Sequence, residues 1–277
     1  CIAPHGGAII EELAGDLLEP FAPTRAAMRE LGRRMQAAAP DTIVVITPHG
    51  VRVEDEMCLA VTERADGMLE EGEQRVAVDM EVDTALTRAL IHRAHELFVP
   101  CAAAGYGASS GPGCSFIMDW GALIPLWFMG ARWEQPPRIM LVCPSRTLPF
   151  ESLVRFGEAL AEVATASDQR IALIASSDLG HAHNADGPYG YDPASAEFDQ
   201  QIVAAVEADD LRRLLDYEQD RDFLAHAKPD GLWQILSLYG ATRIVPMRGE
   251  FLSYQAPTYF GMLCASYTPT AAMSYEP

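Results

Sequence analysis

An uninterrupted apolar run, TIVVIT at residues 42–47, most constrains the fold of this chain. A strand with one buried face alternates apolar and polar residues, whereas this run is mostly β-branched and nearly continuous in apolar character. That pattern is typical of a strand buried on both faces of an α/β sheet. Similar short runs lie at residues 1–4 and 171–175 (IALIA). Each of the three runs is followed shortly by a histidine: His5, His49 or His181.

The position of these histidines indicates a shared site. In open α/β sheets, ligands bind beyond the carboxyl ends of the strands, where residues distant in sequence converge. His5 and His49 lie in matching Pro-His-Gly triplets, in which proline stiffens the approach and glycine relieves crowding. Because imidazole is a common metal ligand, the sequence predicts a metal site at this edge.

Helical and strand patterns alternate along the rest of the chain. We therefore expect one α/β domain over residues 1–277, with a central mixed, largely parallel sheet flanked by helices. The predicted helices cover residues 12–39 with a break at 19–24, 79–97, 150–166, 193–209, 210–217, 223–227 and 231–239. Further strands are predicted at 54–62, 73–78, 138–142, 242–247 and 258–266. We expect residues 63–72 to be a glycine-containing link and the glycine-rich residues 105–125 to be a flexible active-site loop.

Composition excludes several classes of function. The formal net charge of −19 would repel a phosphate backbone, so we expect no nucleic-acid partner. No stretch of 18 uninterrupted apolar residues is present, so we expect no membrane span. The six cysteines are scattered singly, which favours free thiols in a reducing cytoplasm. We expect a cytoplasmic, soluble protein.

The segment SSDLGHAH, residues 176–183, offers the third histidine together with an acidic neighbour. Asp178 could orient a histidine by accepting its second ring proton. Alternatively, the Ser-Ser-Asp part is a helix N-cap or a turn. His183 is a weaker candidate for the site, and we interpret His92, His95 and His226 as residues on helix surfaces.

These motifs, taken in order, resemble the class III extradiol ring-cleaving dioxygenases of the protocatechuate 4,5-dioxygenase catalytic-subunit type, together with their Memo relatives. The resemblance covers most of the chain. It rests on the two PHG triplets and on GCSFIMDWGALIPL, SSDLGH and KPDGLWQIL. Each motif is short, but their order and spacing together are fairly specific.

The resemblance implies a set of site residues. It makes His5 and His49 ligands of Fe(II), Asp230 the late acidic ligand and His181 the acid/base catalyst, with Glu250 as a rival for the third ligand. It implies Fe(II) as cofactor, with Mn(II) or Zn(II) as alternatives, and a small aromatic substrate and O2 as reactants. It also leads us to expect a homo-oligomer, with a second subunit as an alternative.

The chemistry of these residue types supports that implication. Two imidazoles and one carboxylate on one face of an iron leave three positions open, as is typical of non-haem Fe(II) oxygenases. A catecholic substrate can fill two of them and dioxygen the third. Imidazole titrates near neutral pH, so a histidine beside the metal can accept and return a proton.

One departure from the family pattern leaves other functions open. Family members commonly carry Asp-His-Gly where this chain has Asp119-Trp120-Gly121, and a tryptophan cannot act as acid or base. Trp120 could instead stack on an aromatic ring or be a core residue. The alternatives are a Memo-like binding or redox protein of the same fold and a zinc hydrolase, since two histidines and a carboxylate also suit catalytic zinc.

Overall fold

Strand β2 (Thr42–Ile46) lies inside an eight-stranded sheet and is buried along its whole length, as its apolar sequence predicts. The structure is a computed structural model that describes residues 1–270. The last seven residues of the expected domain, 271–277, lie outside the described residues.

The other strands are β1 (Ile2–Ala3), β3 (Met57–Ala60), β4 (Arg64–Glu71), β5 (Gln74–Glu81), β6 (Cys101–Ala104), β7 (Ser115–Ile117), β8 (Arg138–Pro144), β9 (Ile171–Ser176), β10 (Met247–Gln255) and β11 (Met262–Pro269). The α-helices are α1 (Ala22–Ala38), α2 (Thr84–Glu96), α3 (Trp120–Phe128), α4 (Phe150–Ala166), α5 (Pro193–Glu207), α6 (Arg221–Ala227) and α7 (Leu232–Ile244). Short 3₁₀ turns cover Gly7–Ile9, Glu11–Leu13, Gly15–Leu17 and Leu211–Gln219.

The large sheet has the order β10-β11-β1-β9-β2-β8-β3-β6. Strands β1, β9, β2 and β8 run parallel side by side, and β3 pairs in parallel with β6. The pairs β10-β11, β11-β1 and β8-β3 are antiparallel. The sheet is therefore mixed and mostly parallel, which confirms the predicted fold class. A second, three-stranded sheet has the order β5-β4-β7.

Each face of the large sheet carries its own core. Val44 and Ile46 of β2 point into a core shared with α2, α4, α5 and α7. The alternate residues Ile43 and Val45 point into a second core shared with α1, α3 and the small sheet. This double burial explains the continuous apolar sequence of β2, because successive side chains of a strand face opposite sides.

Several predicted elements are placed differently in the structure. The predicted link at residues 63–72 is mostly strand β4, which pairs with β5 in an antiparallel hairpin. The predicted strand at 242–247 is wrong for its first three residues, which end α7, and β10 starts at Met247. The segment 105–125 contains β7 and the start of α3, so it is not a continuous loop.

Two further predictions concern membrane-spanning helices and the state of the cysteines. Within residues 1–270, the helices are all too short or too polar to cross a membrane. The six cysteines are free, as their scattered spacing predicts.

Candidate metal and catalytic site

The three predicted ligands meet beyond the carboxyl ends of the parallel strands. His5 follows β1, His49 follows β2, and Asp230 lies in the short link between α6 and α7. The two Nε2 atoms of His5 and His49 are 3.0 Å apart. Oδ2 of Asp230 is 3.3 Å from Nε2 of His5 and 3.0 Å from Nε2 of His49. Three potential ligand atoms therefore face one common point.

The orientation of His5 is set by Ser176, at the end of the neighbouring strand β9. The hydroxyl of Ser176 donates its single proton to the carbonyl oxygen of Gly121, which can only accept. Nδ1 of His5, 2.9 Å from the same hydroxyl, must then be the donor. In the neutral imidazole this leaves the lone pair on Nε2, the atom that faces His49 and Asp230.

His49 is fixed by its own strand end and by the start of α3. Oγ1 of Thr47 donates to Oδ1 of Asp119 at 2.6 Å and accepts from the His49 amide at 3.3 Å. Asp119 also caps α3 by accepting from the amide of Ala122. The ring of Trp120 stacks on the imidazole of His49. Thr47, held by Asp119, therefore fixes the backbone of His49, and Trp120 packs against its ring.

Asp230 reaches the site because Gly231 lets the link approach β9 closely. A Cβ at position 231 would collide with the Cβ of Ser177 and the carbonyl oxygen of Asp178. The hydroxyl of Ser177 donates to the Gly231 carbonyl at 3.1 Å, which ties the link to the strand end. Oδ1 of Asp230 is buried and has no hydrogen-bond partner. Such an orphaned buried oxygen is costly unless something else satisfies it.

The charges of the site are strongly coupled. Burial opposes the charged form of His5, but the carboxylates of Asp178 and Asp230 raise the pKa of His5 to about 9. Burial likewise opposes ionisation of Asp230, yet the imidazoles of His5 and His49 hold its pKa well below its usual range. Burial and the nearby charge of Asp230 raise the pKa of Asp178. The site thus holds one firmly ionised carboxylate that attracts positive charge.

His181 lies beside the three ligand atoms but farther away. Its Nε2 is 3.7 Å from Oδ2 of Asp230. Its Nδ1 is 2.8 Å from the carbonyl oxygen of Leu179, so Nδ1 carries the proton and Nε2 is left as an acceptor in the neutral ring. Phe260 stacks on His181, and the rings of Tyr189 and Tyr259 pack around it.

The spacing of the three ligand atoms fits a metal ion. Two ligands at about 2.1 Å from a metal and at right angles to each other lie about 3.0 Å apart. The observed separations of 3.0, 3.0 and 3.3 Å match one face of such an arrangement. Imidazole nitrogens and a carboxylate suit iron, manganese and zinc, and the orphaned Oδ1 of Asp230 supports an additional partner.

A cavity of about 430 Å³ opens onto this group. Its size is within the range of small-molecule sites, roughly 300–1,000 Å³. Its wall includes His49, His181 and Asp230 from the site, three cationic side chains, and the apolar Leu224, Pro229 and Trp233. A small molecule bound in this cavity would therefore contact His49 and Asp230 of the candidate metal site and the ring of His181 together.

Other predicted residues are placed elsewhere. Glu250 pairs with Arg34 on the surface, so the structure does not support it as the third ligand. His92, His95 and His226 are exposed on α2 and α6, as expected. His183 contacts Asp199 rather than the ligand atoms.

The predicted role of Asp178 is corrected in its details. Its Oδ1 accepts from the peptide N–H of His5 at 3.0 Å, and its Oδ2 is 3.4 Å from Nε2 of the same histidine. The second ring nitrogens of His5 and His181 bond to Ser176 and to a backbone carbonyl instead. The alternative of a helix cap is also wrong, since no helix starts within Ser176–Asp178.

Sequence reasoning missed several residues around the site. Ser176 and Asp119 orient the two histidines, and Arg146 and Trp233 form part of the cavity wall. Ser176 is adjacent to the apolar run of β9, and Asp119 lies in the unusual Asp-Trp-Gly triplet. Their position at strand or helix ends was the available signal.

Comparisons with known proteins place the chain among related sequences. Protein CA_C1420 of Clostridium acetobutylicum is 24% identical over 255 residues, which are 92% of this chain and 54% of that protein. The chain therefore spans about half the length of this curated relative. The crystal structure of an uncharacterized protein, JW3007, from Escherichia coli K12 has a similar fold. Its TM-score is 0.55 at 16% identity, with 83% of this chain and 89% of that one covered.

The sequence profile described as "Catalytic LigB subunit of aromatic ring-opening dioxygenase" matches residues 1–261, which is nearly the whole chain. The matched range includes both PHG triplets, the SSDLGH segment and Asp230 with its following helix. The profile agrees with the ring-cleaving family that the motifs resemble. This chain belongs to the family of catalytic LigB subunits of aromatic ring-opening dioxygenases.

Proposed function

We propose that this protein is a non-haem Fe(II)-dependent extradiol dioxygenase that uses O2 to open a catecholic or aminophenolic ring. The observation that carries the proposal is the group of three candidate ligand atoms, 3.0–3.3 Å apart, with His181 beside it. His49, Asp230 and His181 line one cavity. Membership of the ring-opening family supports the same reaction class.

In this proposal, His5, His49 and Asp230 hold the iron through two Nε2 atoms and one carboxylate oxygen. When bound, Fe(II) would supply a site for the aromatic diolate and O2 together and a path for electrons between them. The chain keeps the ligands ready for a cation, because Ser176 directs Nε2 of His5 toward the site and Asp230 stays ionised. The raised pKa of His5 means that a metal would take the place of a proton on Nε2.

His181 is the proposed acid and base. Its Nδ1–H is engaged by the Leu179 carbonyl, so Nε2 can accept a proton from a substrate hydroxyl and later return it to an oxygen of the opened ring. Phe260 stacks on this imidazole and Tyr259 packs beside it, so the ring is held in place. The side chain is largely buried but still lines the cavity.

The test is oxygen uptake after anaerobic reconstitution with Fe(II), followed spectroscopically with a panel of catechols and aminophenols. We expect uptake with a new ring-opened chromophore. His5→Ala, His49→Ala and Asp230→Ala should lose bound iron, whereas His181→Ala should retain iron and lose activity. His92→Gln, an exposed histidine on α2, is the matched control. Normal iron content in His5→Ala would contradict the ligand assignment.

A second candidate is a metal-binding or redox protein of the same fold that does not cleave rings. Trp120 favours it, because the family histidine is replaced by a residue that stacks on His49 and cannot transfer protons. Tightly bound metal without oxygen uptake across the whole panel would support this candidate over the dioxygenase.

A further inference from the structure

Arg146 belongs to the same edge of the sheet as the candidate metal site. It lies two residues beyond β8, and β8 pairs in parallel with β2, which leads to His49. The four adjacent parallel strands β1, β9, β2 and β8 thus deliver His5, His181, His49 and Arg146 to one edge. Of the four, Arg146 alone has no part in the proposed metal and proton chemistry.

The guanidinium of Arg146 has no protein acceptor within residues 1–270. It is partly buried and lies over the ring of Trp233, 5.0 Å from the ring centre, but no carboxylate pairs with it. By contrast, the buried guanidinium of Arg25 donates to three backbone carbonyls. Because a guanidinium is always charged and carries five N–H donors, Arg146 is left with unused capacity for an anion.

Trp233 fixes Arg146 relative to the metal ligands. Its indole N–H donates to the Arg146 carbonyl at 3.2 Å, while its ring supports the guanidinium from below. Trp233 is three residues after Asp230, in the first turn of α7. Trp233 and Asp230 belong to one short segment, which therefore fixes the guanidinium of Arg146 relative to the carboxylate of Asp230, and both groups line the same cavity.

The cavity is positively charged in a strongly acidic protein. Arg146, Arg221 and Lys228 line it, and Lys228 is the only lysine of the 277-residue sequence, whose net charge is −19. Arg221 has Glu218 at 3.7 Å, and the ammonium of Lys228 donates to the Ala225 carbonyl. Arg146 is thus the cation of this wall that lacks a protein partner within the described chain.

We propose that Arg146 binds a carboxylate on the substrate, so that the site selects aromatic acids over neutral aromatic rings. The planar guanidinium matches a carboxylate with two parallel hydrogen bonds, and Trp233 provides an apolar wall for the ring. The ring-cleaving role of such an acid rests on the proposed function, whereas its recognition by Arg146 does not.

The test compares two isosteric probes, 4-hydroxybenzoate and 4-hydroxybenzamide, by isothermal titration calorimetry. Metal-free and zinc-loaded protein are both used, so no turnover is needed. We expect the carboxylate to bind at least tenfold more tightly than the amide. In Arg146→Gln the carboxylate should lose roughly 10- to 100-fold in affinity, with little change for the amide. Arg146→Lys should recover part of the preference.

The matched control is Arg132→Gln, which removes an arginine stacked over another tryptophan, Trp127, away from the cavity. Near-ultraviolet circular dichroism checks that each variant is folded. Equal binding of the two probes, an unchanged preference in Arg146→Gln, or no binding of either at millimolar concentration would overturn the proposal. An Arg146-dependent preference without oxygen uptake on any catechol would leave the carboxylate site standing and reject ring cleavage.

Discussion

The indole of Trp120 stacks on the imidazole of His49, with ring centres 4.2 Å apart and planes inclined by 24°. Trp120 is 46% exposed, so its packing on His49 is one of its main contacts rather than part of a closed core. The stacking identifies Trp120 as a support for a candidate metal ligand.

Replacement of Trp120 should therefore weaken metal binding. An aromatic pair contributes about 0.5–1.5 kcal/mol beyond its buried area, so we expect Trp120→Ala to raise the metal Kd roughly two- to tenfold. Trp120→Phe retains a stacking ring and should stay near the parent value. Competition with a chelating dye measures both dissociation constants. An unchanged metal Kd in Trp120→Ala would show that stacking on His49 does not contribute to metal affinity.

Ser176→Ala tests the orientation of His5. Without the hydroxyl, Nδ1–H of His5 loses its acceptor and the ring is free to change tautomer or rotate. Loss of such a supporting hydrogen bond commonly costs about 10- to 100-fold in metal affinity. The control is Ser237→Ala, a buried serine on α7 whose hydroxyl donates to the Trp233 carbonyl of its own helix. If Ser176→Ala and Ser237→Ala lose metal affinity to the same extent, Ser176 has no specific role in orienting His5.

Asp199→Asn tests how His181 is positioned. Asp199 is fully buried, accepts from the Gly180 amide at 2.7 Å, and contacts His183 and the Tyr254 hydroxyl. An amide has one acceptor oxygen where the carboxylate has two, so the turn that carries His181 should shift. We expect kcat/KM to fall roughly 10- to 100-fold with metal affinity nearly unchanged.

The pH profile separates this positioning role of Asp199 from a general loss of structure. A shifted His181 should change the pH dependence of kcat/KM, which a lower concentration of folded enzyme would not do. Tyr254→Phe removes one contact to the same carboxylate and should have a smaller effect. A purely proportional loss of rate at every pH would argue against positioning.

Asp83 provides a prediction about stability away from the site. It is buried, caps α2 by accepting from the Leu86 amide, and pairs with Arg138 at 3.2 Å. Burial opposes its ionisation, but the Leu86 hydrogen bond and the Arg138 charge help to hold its pKa below the usual value. Asp83→Asn should lower the free energy of unfolding by about 1–3 kcal/mol at pH 7.

The sign of the pH dependence follows from that depressed pKa. The stability due to ionised Asp83 is present above the pKa of the unfolded chain, about 3.9, and is lost as pH falls below it. Denaturant titrations should thus show the difference between parent and Asp83→Asn shrinking below about pH 4. Asp79→Asn, at an exposed pair with Arg64, is the control and should cost less than about 1 kcal/mol.

The parts of the fold that the sequence predicts well are those with strong local patterns. β2, β8, β9 and α4 were expected within one or two residues, because their apolar periodicity matches their burial. β4 was missed because its sequence, RADGMLEE, is polar and contains glycine. It becomes a strand only by pairing with β5 and β7, which is information from distant parts of the chain.

In the candidate site, too, local sequence patterns predict some residues, whereas the roles of others depend on tertiary packing. The two PHG triplets predict where His5 and His49 lie, since each directly follows an apolar strand. Ser176 and Arg146 lie at or just beyond strand ends, which places them near the same edge, but their roles depend on β9 lying between β1 and β2 and on β8 lying beside β2. Strand order of this kind is decided by tertiary packing and not by local pattern.

The placement of β1 in the sheet also has a consequence for how the protein folds. This two-residue strand is inserted between β9 and β11, both from the second half of the chain. His5 and Asp230 are 225 residues apart, so they meet only when contacts between distant parts of the chain have closed, and such contacts form slowly in folding. An ion held by these residues would join the end of β1 to the link between α6 and α7, and would therefore stabilise the folded state by binding to it alone.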